Sequence, residues 1–89
     1  MKIKYTSQFK KDYKKIQKQQ KDIDKLKVLI EKLSQKQILD ELYLDHPLSG
    51  KWKTYRECHI APDWLLIYKI TSDTLILVRT GSHANLFKM

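Results

Sequence analysis

The sequence predicts a small α+β domain in which one strand and two helices precede three strands joined by tight turns. Three observations carry this. Between positions 9 and 33 apolar residues recur at helical spacing: Phe9, Tyr13 and Ile16, then Ile23, Leu26, Leu29 or Ile30, and Leu33. From Tyr55 onward the pattern shifts to strand-length apolar runs separated by turn residues. The chain has 89 residues, 42% hydrophobic and 31% charged, which is the balance of one globular domain over residues 1–89.

Each element has a local cause. Ile3 to Tyr5 closes a short alternating stretch that reads as the first strand. Ser7 offers a side-chain cap for the first helix, whose apolar stripe is flanked by Lys10, Lys11, Lys14, Lys15 and Lys18. The polar joint Gln19-Gln20-Lys21 ends it, and Asp22 can cap the second helix, so the two form a helical hairpin. Residues 37–54 connect the halves, with Ile38, Leu39, Leu42, Tyr43 and Leu44 as anchors to the core and turn chemistry in His46-Pro47-Leu48-Ser49-Gly50. Tyr55 to Ile60 alternates, with Arg56, Cys58 and Ile60 on one side and Tyr55, Glu57 and His59 on the other. Trp64 to Ile70 and Leu75 to Thr80 follow across the turns Ala61-Pro62-Asp63 and Thr71-Ser72-Asp73, making an antiparallel meander.

Composition removes several classes of function. No apolar run approaches the ~20 residues of a membrane helix. The start, Met1-Lys2-Ile3-Lys4-Tyr5, has no signal-peptide apolar region. A single cysteine, Cys58, allows no intramolecular disulfide and no multi-cysteine zinc site, and it reads as a small buried hydrophobe. Two glycines, Gly50 and Gly81, cannot build a phosphate loop. A cytoplasmic protein is the expectation.

The formal charge of +8 is unevenly placed. Residues 1–36 hold twelve lysines and four acids, whereas residues 37–89 hold six basic and six acidic residues. The whole excess therefore sits in the helical third, and a polyanion such as RNA is the partner it implies. All three histidines, both tryptophans and the cysteine lie in the neutral remainder.

That remainder holds the candidate chemistry. His46, His59, Asp63 and His83 fall at element edges or in loops rather than inside apolar stripes. His59 and Asp63 flank one turn, and an extended last strand would point Arg79 to the same face as His83. Cleavage of RNA by its own 2′-hydroxyl needs a base, a cation for the phosphate and an acid for the leaving oxygen. Histidine serves either proton role near neutral pH, and arginine matches phosphate geometry. The same residues could ligate zinc, although their spacing follows no common ligand pattern. Trp52 and Trp64 read as core or rim packing.

Five blocks then resemble one family: Asp45-His46-Pro47-Leu48, Gly50-Lys51-Trp52-Lys53, Tyr55-Arg56-Glu57-Cys58-His59-Ile60, Pro62-Asp63-Trp64-Leu65-Leu66-Ile67-Tyr68, and Arg79-Thr80-Gly81-Ser82-His83-Ala84-Asn85-Leu86-Phe87. Together they resemble the YafQ branch of the RelE/ParE toxin superfamily. The resemblance implies a bacterial type II toxin, an mRNA interferase that cuts messenger RNA in the ribosomal A site without metal or other cofactor. It implies a β-α-α-β-β-β fold, two helices on a small antiparallel sheet, like that of microbial ribonucleases. Carried over by position, His46, His59, Asp63 and His83 are the catalytic group, with His46 as base and His83 as acid. Arg79, Phe87 and Glu57 would contact substrate or phosphate. Lys10, Lys11, Lys14, Lys15 and Lys18 would dock ribosomal RNA. The implied partners are the 70S ribosome, mRNA and a DinJ/RelB-like antitoxin, with operator DNA reached only through that antitoxin. Two alternatives stay open: a ParE-like inhibitor of DNA gyrase, which has no need of a histidine cluster, and a non-catalytic basic RNA-binding module.

Overall fold

A computed structural model describes residues 1–87 of the chain. Strand β1 (Lys2–Tyr5) leads into helix α1 (Ser7–Lys18), and helix α2 (Ile23–Ser34) follows. Strands β2 (His46–Pro47), β3 (Arg56–Ala61), β4 (Trp64–Ile70) and β5 (Thr74–Gly81) and helix α3 (His83–Phe87) complete the chain. The five strands lie in the order β1-β5-β4-β3-β2.

The expected meander is present, and three features differ from the expectation. The sheet is mixed rather than antiparallel, because β1 runs parallel to β5 in the register Lys2↔Thr74 to Tyr5↔Leu77. A parallel neighbour needs a long crossover, and the helical hairpin with the meander supplies one. A fifth strand forms where His46 and Pro47 pair with Glu57 and Arg56. The chain also turns into α3 at His83 instead of continuing extended. Ser82 caps that helix by accepting from the Asn85 N–H at 3.2 Å.

The helices form as their stripes dictate. Thr6 rather than Ser7 caps α1, its hydroxyl accepting from the Phe9 N–H at 2.9 Å. Phe9 and Ile16 from α1 and Leu26, Leu29 and Leu33 from α2 are buried against Cys58, Ile60, Trp64, Leu66, Tyr68, Leu75 and Leu77 of the sheet. Alternation sends the other side chains to the opposite face. There Leu65 and Ile67 form a second, smaller core with Leu86 of α3, flanked by Leu48, Tyr55, Val78 and Phe87. The sheet is thus covered by two helices on one face and by one short helix on the other.

The connecting segment is less anchored than its sequence implied. Leu39 and Tyr43 pack on the core, but Ile38, Leu42 and Leu44 are exposed, Ile38 almost completely. Its firm attachment is polar. The Tyr68 hydroxyl donates to Asp45 at 2.6 Å and Arg56 Nε donates to the same oxygen at 3.3 Å. Asp45 therefore fixes the chain one residue before His46.

The free edge of β5 shows what α1 does beyond filling the core. Strand β1 stops opposite Leu77. From there the Thr6 hydroxyl donates to the Val78 carbonyl at 2.7 Å and Asp12 accepts from the Thr80 N–H at 3.2 Å. The cap residue and one side chain of the first helix thus satisfy backbone groups that a strand would otherwise pair.

Candidate active site

Two neighbouring strands, β2 and β3, the β3–β4 turn and α3 bring the singled-out residues together on the face opposite α1 and α2. Glu57 and His59 sit two apart on β3, so both point to one face. The register His46↔Glu57 brings in the first histidine from β2. The register His59↔Leu65 and Leu65↔Gly81 places the end of β5 two strands from His59, and the chain then turns so that His83 folds back over the face. Gly81 makes that turn possible. Its φ of +152° disfavours L side chains, and a Cβ there would meet Leu86 at 3.4 Å.

The result is a continuous group. Glu57 lies at its centre, buried, with Oε1 3.4 Å from His59 Nε2 and 3.8 Å from His46 Nε2. The His46 and His59 rings are 6.5 Å apart, and His59 and His83 are 5.8 Å apart. Phe87, one helical turn after His83, places its ring 6.4 Å from that histidine. Asp63 approaches from the β3–β4 turn, accepting from the His83 backbone N–H and contacting His83 Nδ1, each at 3.3 Å. Side chains of Glu57 and His59 are 7% and 17% accessible, while those of His46 and His83 are 49% and 45%. The group thus has a buried acidic floor and two outer histidines open to a substrate.

Hydrogen-bond partners set the tautomers. The Leu44 carbonyl can only accept, so the 2.6 Å contact from His46 Nδ1 puts a proton on Nδ1 and leaves Nε2 turned to the site. Asp63 acts likewise on His83, since its carboxylate accepts from Nδ1. The side-chain bond from His83, then the backbone bond, hold the Asp63 carboxyl below the usual carboxylate range.

Arg79 is placed differently from the expectation. A bulge between Ile67 and Tyr68 leaves Val78 as the extra residue of β5, so Val78 and Arg79 both leave the strand on the histidine side. The guanidinium is then drawn round the free edge to α1, where Nε and Nη2 each donate to Asp12 at 3.0 Å. Those bonds raise Arg79 further above its ordinary value. Asp12 takes two of the five N–H donors of the guanidinium. The lysines of the docking prediction, Lys10, Lys11, Lys14, Lys15 and Lys18, are all exposed on α1, which packs on the other face of the sheet.

Two residues gain roles that sequence reasoning missed or underrated. Glu57 is the hub of the cluster, and its alternation with His59 was the available signal. Asp12, an acid inside a lysine-rich helix, is 7% exposed, and nothing in the local pattern marks it as the partner of a residue 67 positions away.

The donor set can also hold a metal. Glu57, His59 and His83 each offer one ligand atom, all within 4.8 Å of one another. One carboxylate and two imidazoles suit zinc or copper.

Three histidines and two carboxylates gathered on one face of a small basic α+β scaffold are a set of groups able to exchange protons, and they define a protein equipped for proton exchange. Residues 1–88 match the family of YafQ bacterial toxins of type II toxin–antitoxin systems. The mRNA interferase toxin YafQ of Escherichia coli K12 is 50% identical over 86 residues, covering 96% of this chain and 94% of that protein. Among solved structures, YafQ in the E. coli DinJ–YafQ complex superposes with a TM-score of 0.89 at 50% identity, over 96% of both chains. A copper-bound mutant toxin from Helicobacter pylori superposes with a TM-score of 0.94 at 44% identity, over 98% of this chain and 99% of that one. The chain belongs to the YafQ family of type II toxins.

Proposed function

We propose that this mRNA interferase cuts messenger RNA in the ribosomal A site by metal-independent attack of the RNA's own 2′-hydroxyl, and so halts translation. The observation that supports it is the joining of His46, Glu57, His59, His83 and Asp63 into one contiguous group on the exposed face of the sheet. A gyrase inhibitor or a passive RNA-binding module has no use for that arrangement.

In the proposed reaction His46 Nε2 takes the proton of the 2′-hydroxyl. The 2′-oxygen bonds to phosphorus while the bond from phosphorus to the 5′-oxygen breaks. The departing oxygen takes a proton from His83 Nε2. The products are a 2′,3′-cyclic phosphate and a 5′-hydroxyl. Glu57 balances the charge on His46 after proton uptake, and Asp63 does so for His83 before proton release. His59, on Glu57, orients the nucleotide and shares in proton transfer. Arg79, steadied by Asp12, turns its remaining donors toward the phosphate, and Phe87 packs beside His83 against substrate. Each proton transfer contributes typically ~10²–10⁴ in rate. A zinc or copper ion on Glu57, His59 and His83 would occupy lone pairs this cycle needs, so it would inhibit.

The α1 lysines dock on ribosomal RNA. The reading also includes neutralisation by an antitoxin of the DinJ kind with an acidic toxin-binding segment, repression of operator DNA through that antitoxin, and action in the cytoplasm, where ribosomes are. Among the described residues no helix is long and apolar enough to cross a membrane. The test is to incubate purified protein with programmed ribosomes and map new 5′ ends by primer extension, beside His83→Ala. Cuts within the A-site codon that vanish in the variant are expected. A wild type that cuts nothing, or a variant that cuts equally well, overturns the proposal.

A further inference from the structure

The face that carries the histidines extends beyond them. Tyr55, Glu57 and His59 alternate onto it along β3 and its approach, and Leu65, Ile67 and Lys69 do so along β4. The register Arg56↔Tyr68 and Glu57↔Ile67 sets Tyr55 opposite Lys69, whose Nζ stands 5.7 Å from the centre of the Tyr55 ring. The Trp52 ring lies 5.5 Å from that of Tyr55, inclined by 59°. Backbone bonds hold this group in place. The Tyr55 N–H donates to the Trp52 carbonyl at 2.9 Å, and the Leu48 N–H donates to the Tyr55 carbonyl at 3.0 Å. Gly50, at φ +64°, starts the short helical turn Gly50–Trp52 that brings the tryptophan round.

Tyr55 packs on the second core with Leu65 and Ile67, yet Trp52, Tyr55 and Lys69 all remain only half-buried. Helix α3 covers the other end of this face, over His59. Two aromatic rings beside a lysine are what single-stranded nucleic acid binds: bases stack on the rings and the cation meets a phosphate. Tyr55 is four residues from His59, about 13 Å along an extended strand. A base held there therefore belongs to a nucleotide flanking the cut rather than to the scissile linkage.

We propose that Trp52, Tyr55 and Lys69 form a second subsite, which stacks one base of the messenger RNA beside the cleavage site and fixes the strand's register over the histidines. This rests on the reading of the histidine cluster as the cleavage centre. Stacking accepts every base, so the subsite sets where the strand lies and not which base is read.

The test uses ribosomes programmed with mRNAs that each carry one abasic ribonucleotide at a different position around the cut, with single-turnover cleavage as the readout. In the wild type one flanking position should lose about 5- to 150-fold in rate. In Tyr55→Leu the intact mRNA should lose a similar factor, and the abasic lesion at that position should cost nothing more. Tyr55→Phe keeps the ring and should recover most of the rate lost in Tyr55→Leu together with the abasic penalty, which separates stacking from simple misfolding. Abasic penalties that are the same in Tyr55→Leu as in the wild type overturn the subsite. Equal loss of Tyr55→Leu binding to ribosomes lacking mRNA also overturns it, because the base would then be ribosomal. Failure of the cleavage reading itself shows separately, as His83→Ala cutting at the wild-type rate.

Discussion

Replacing Asp12 by Ala tests the joint between α1 and the last strand. Three bonds end on this one carboxylate: two from Arg79 at 3.0 Å and one from the Thr80 N–H at 3.2 Å. The Asp12 side chain is 9% accessible and that of Arg79 is 22%. Removing one member of a buried ion pair costs about 3–5 kcal/mol, because a charge is left without its partner. Arg79 keeps some access to water, which brings that cost toward about 2 kcal/mol, while the stranded Thr80 N–H adds about 1–3 kcal/mol. A total of about 3–5 kcal/mol lowers Tm by roughly 12 °C or more in a domain of this size. The assay is thermal unfolding followed by circular dichroism on Asp12→Ala, Arg79→Ala and the double variant. The double variant should lose less than the sum of the singles, since the stranded guanidinium is gone with its partner. An Asp12→Ala protein melting within about 3 °C of wild type, or strict additivity in the double variant, would refute the reasoning.

Other outcomes follow from the same structure. Changing Lys10, Lys11, Lys14 and Lys15 together to Gln should leave Tm nearly unchanged, because all four are exposed. It should weaken ribosome binding and flatten its log–log salt dependence by roughly 0.7–0.9 for each phosphate no longer neutralised, and unchanged salt dependence would remove the docking role. Micromolar zinc or copper should suppress cleavage and a chelator selective for them over the ribosome's magnesium should restore it, while that chelator alone should leave wild-type cleavage intact. Cleavage abolished by the chelator would contradict metal-independent chemistry. Burial, and then the charges of Asp45 and Glu57, push the Cys58 thiol far up, so it stays protonated in the folded protein. The unfolded thiol ionises near pH ~8.5. Above that pH the unfolded chain releases a proton that the folded chain keeps, so stability falls as pH rises. Burial and the bond to Asp45 do the same for Tyr68 near pH ~10 and above. Urea midpoints at pH 7 and 9.5 should show the decline, with a smaller slope in Cys58→Ala. Iodoacetamide should label Cys58 only as the protein unfolds.

Elements and faces were legible in the sequence because they follow from local periods. The stripes of Phe9 and Ile16 and of Leu26, Leu29 and Leu33 do face the core, and Cys58 and Glu57 do point to opposite sides of β3. His46, His59, Asp63 and His83 stood out as loop and edge residues, yet only family resemblance joined them into one group with assigned roles. Tertiary structure decided the rest. The parallel pairing of β1, the strand at His46–Pro47, the return of His83 through α3, the central place of Glu57 and the grip of Asp12 on Arg79 all depend on which strand lies beside which. Local pattern carries the period of each element. Register between elements far apart in the chain is set by the packing that follows, and the contacts of the site lie at those crossings.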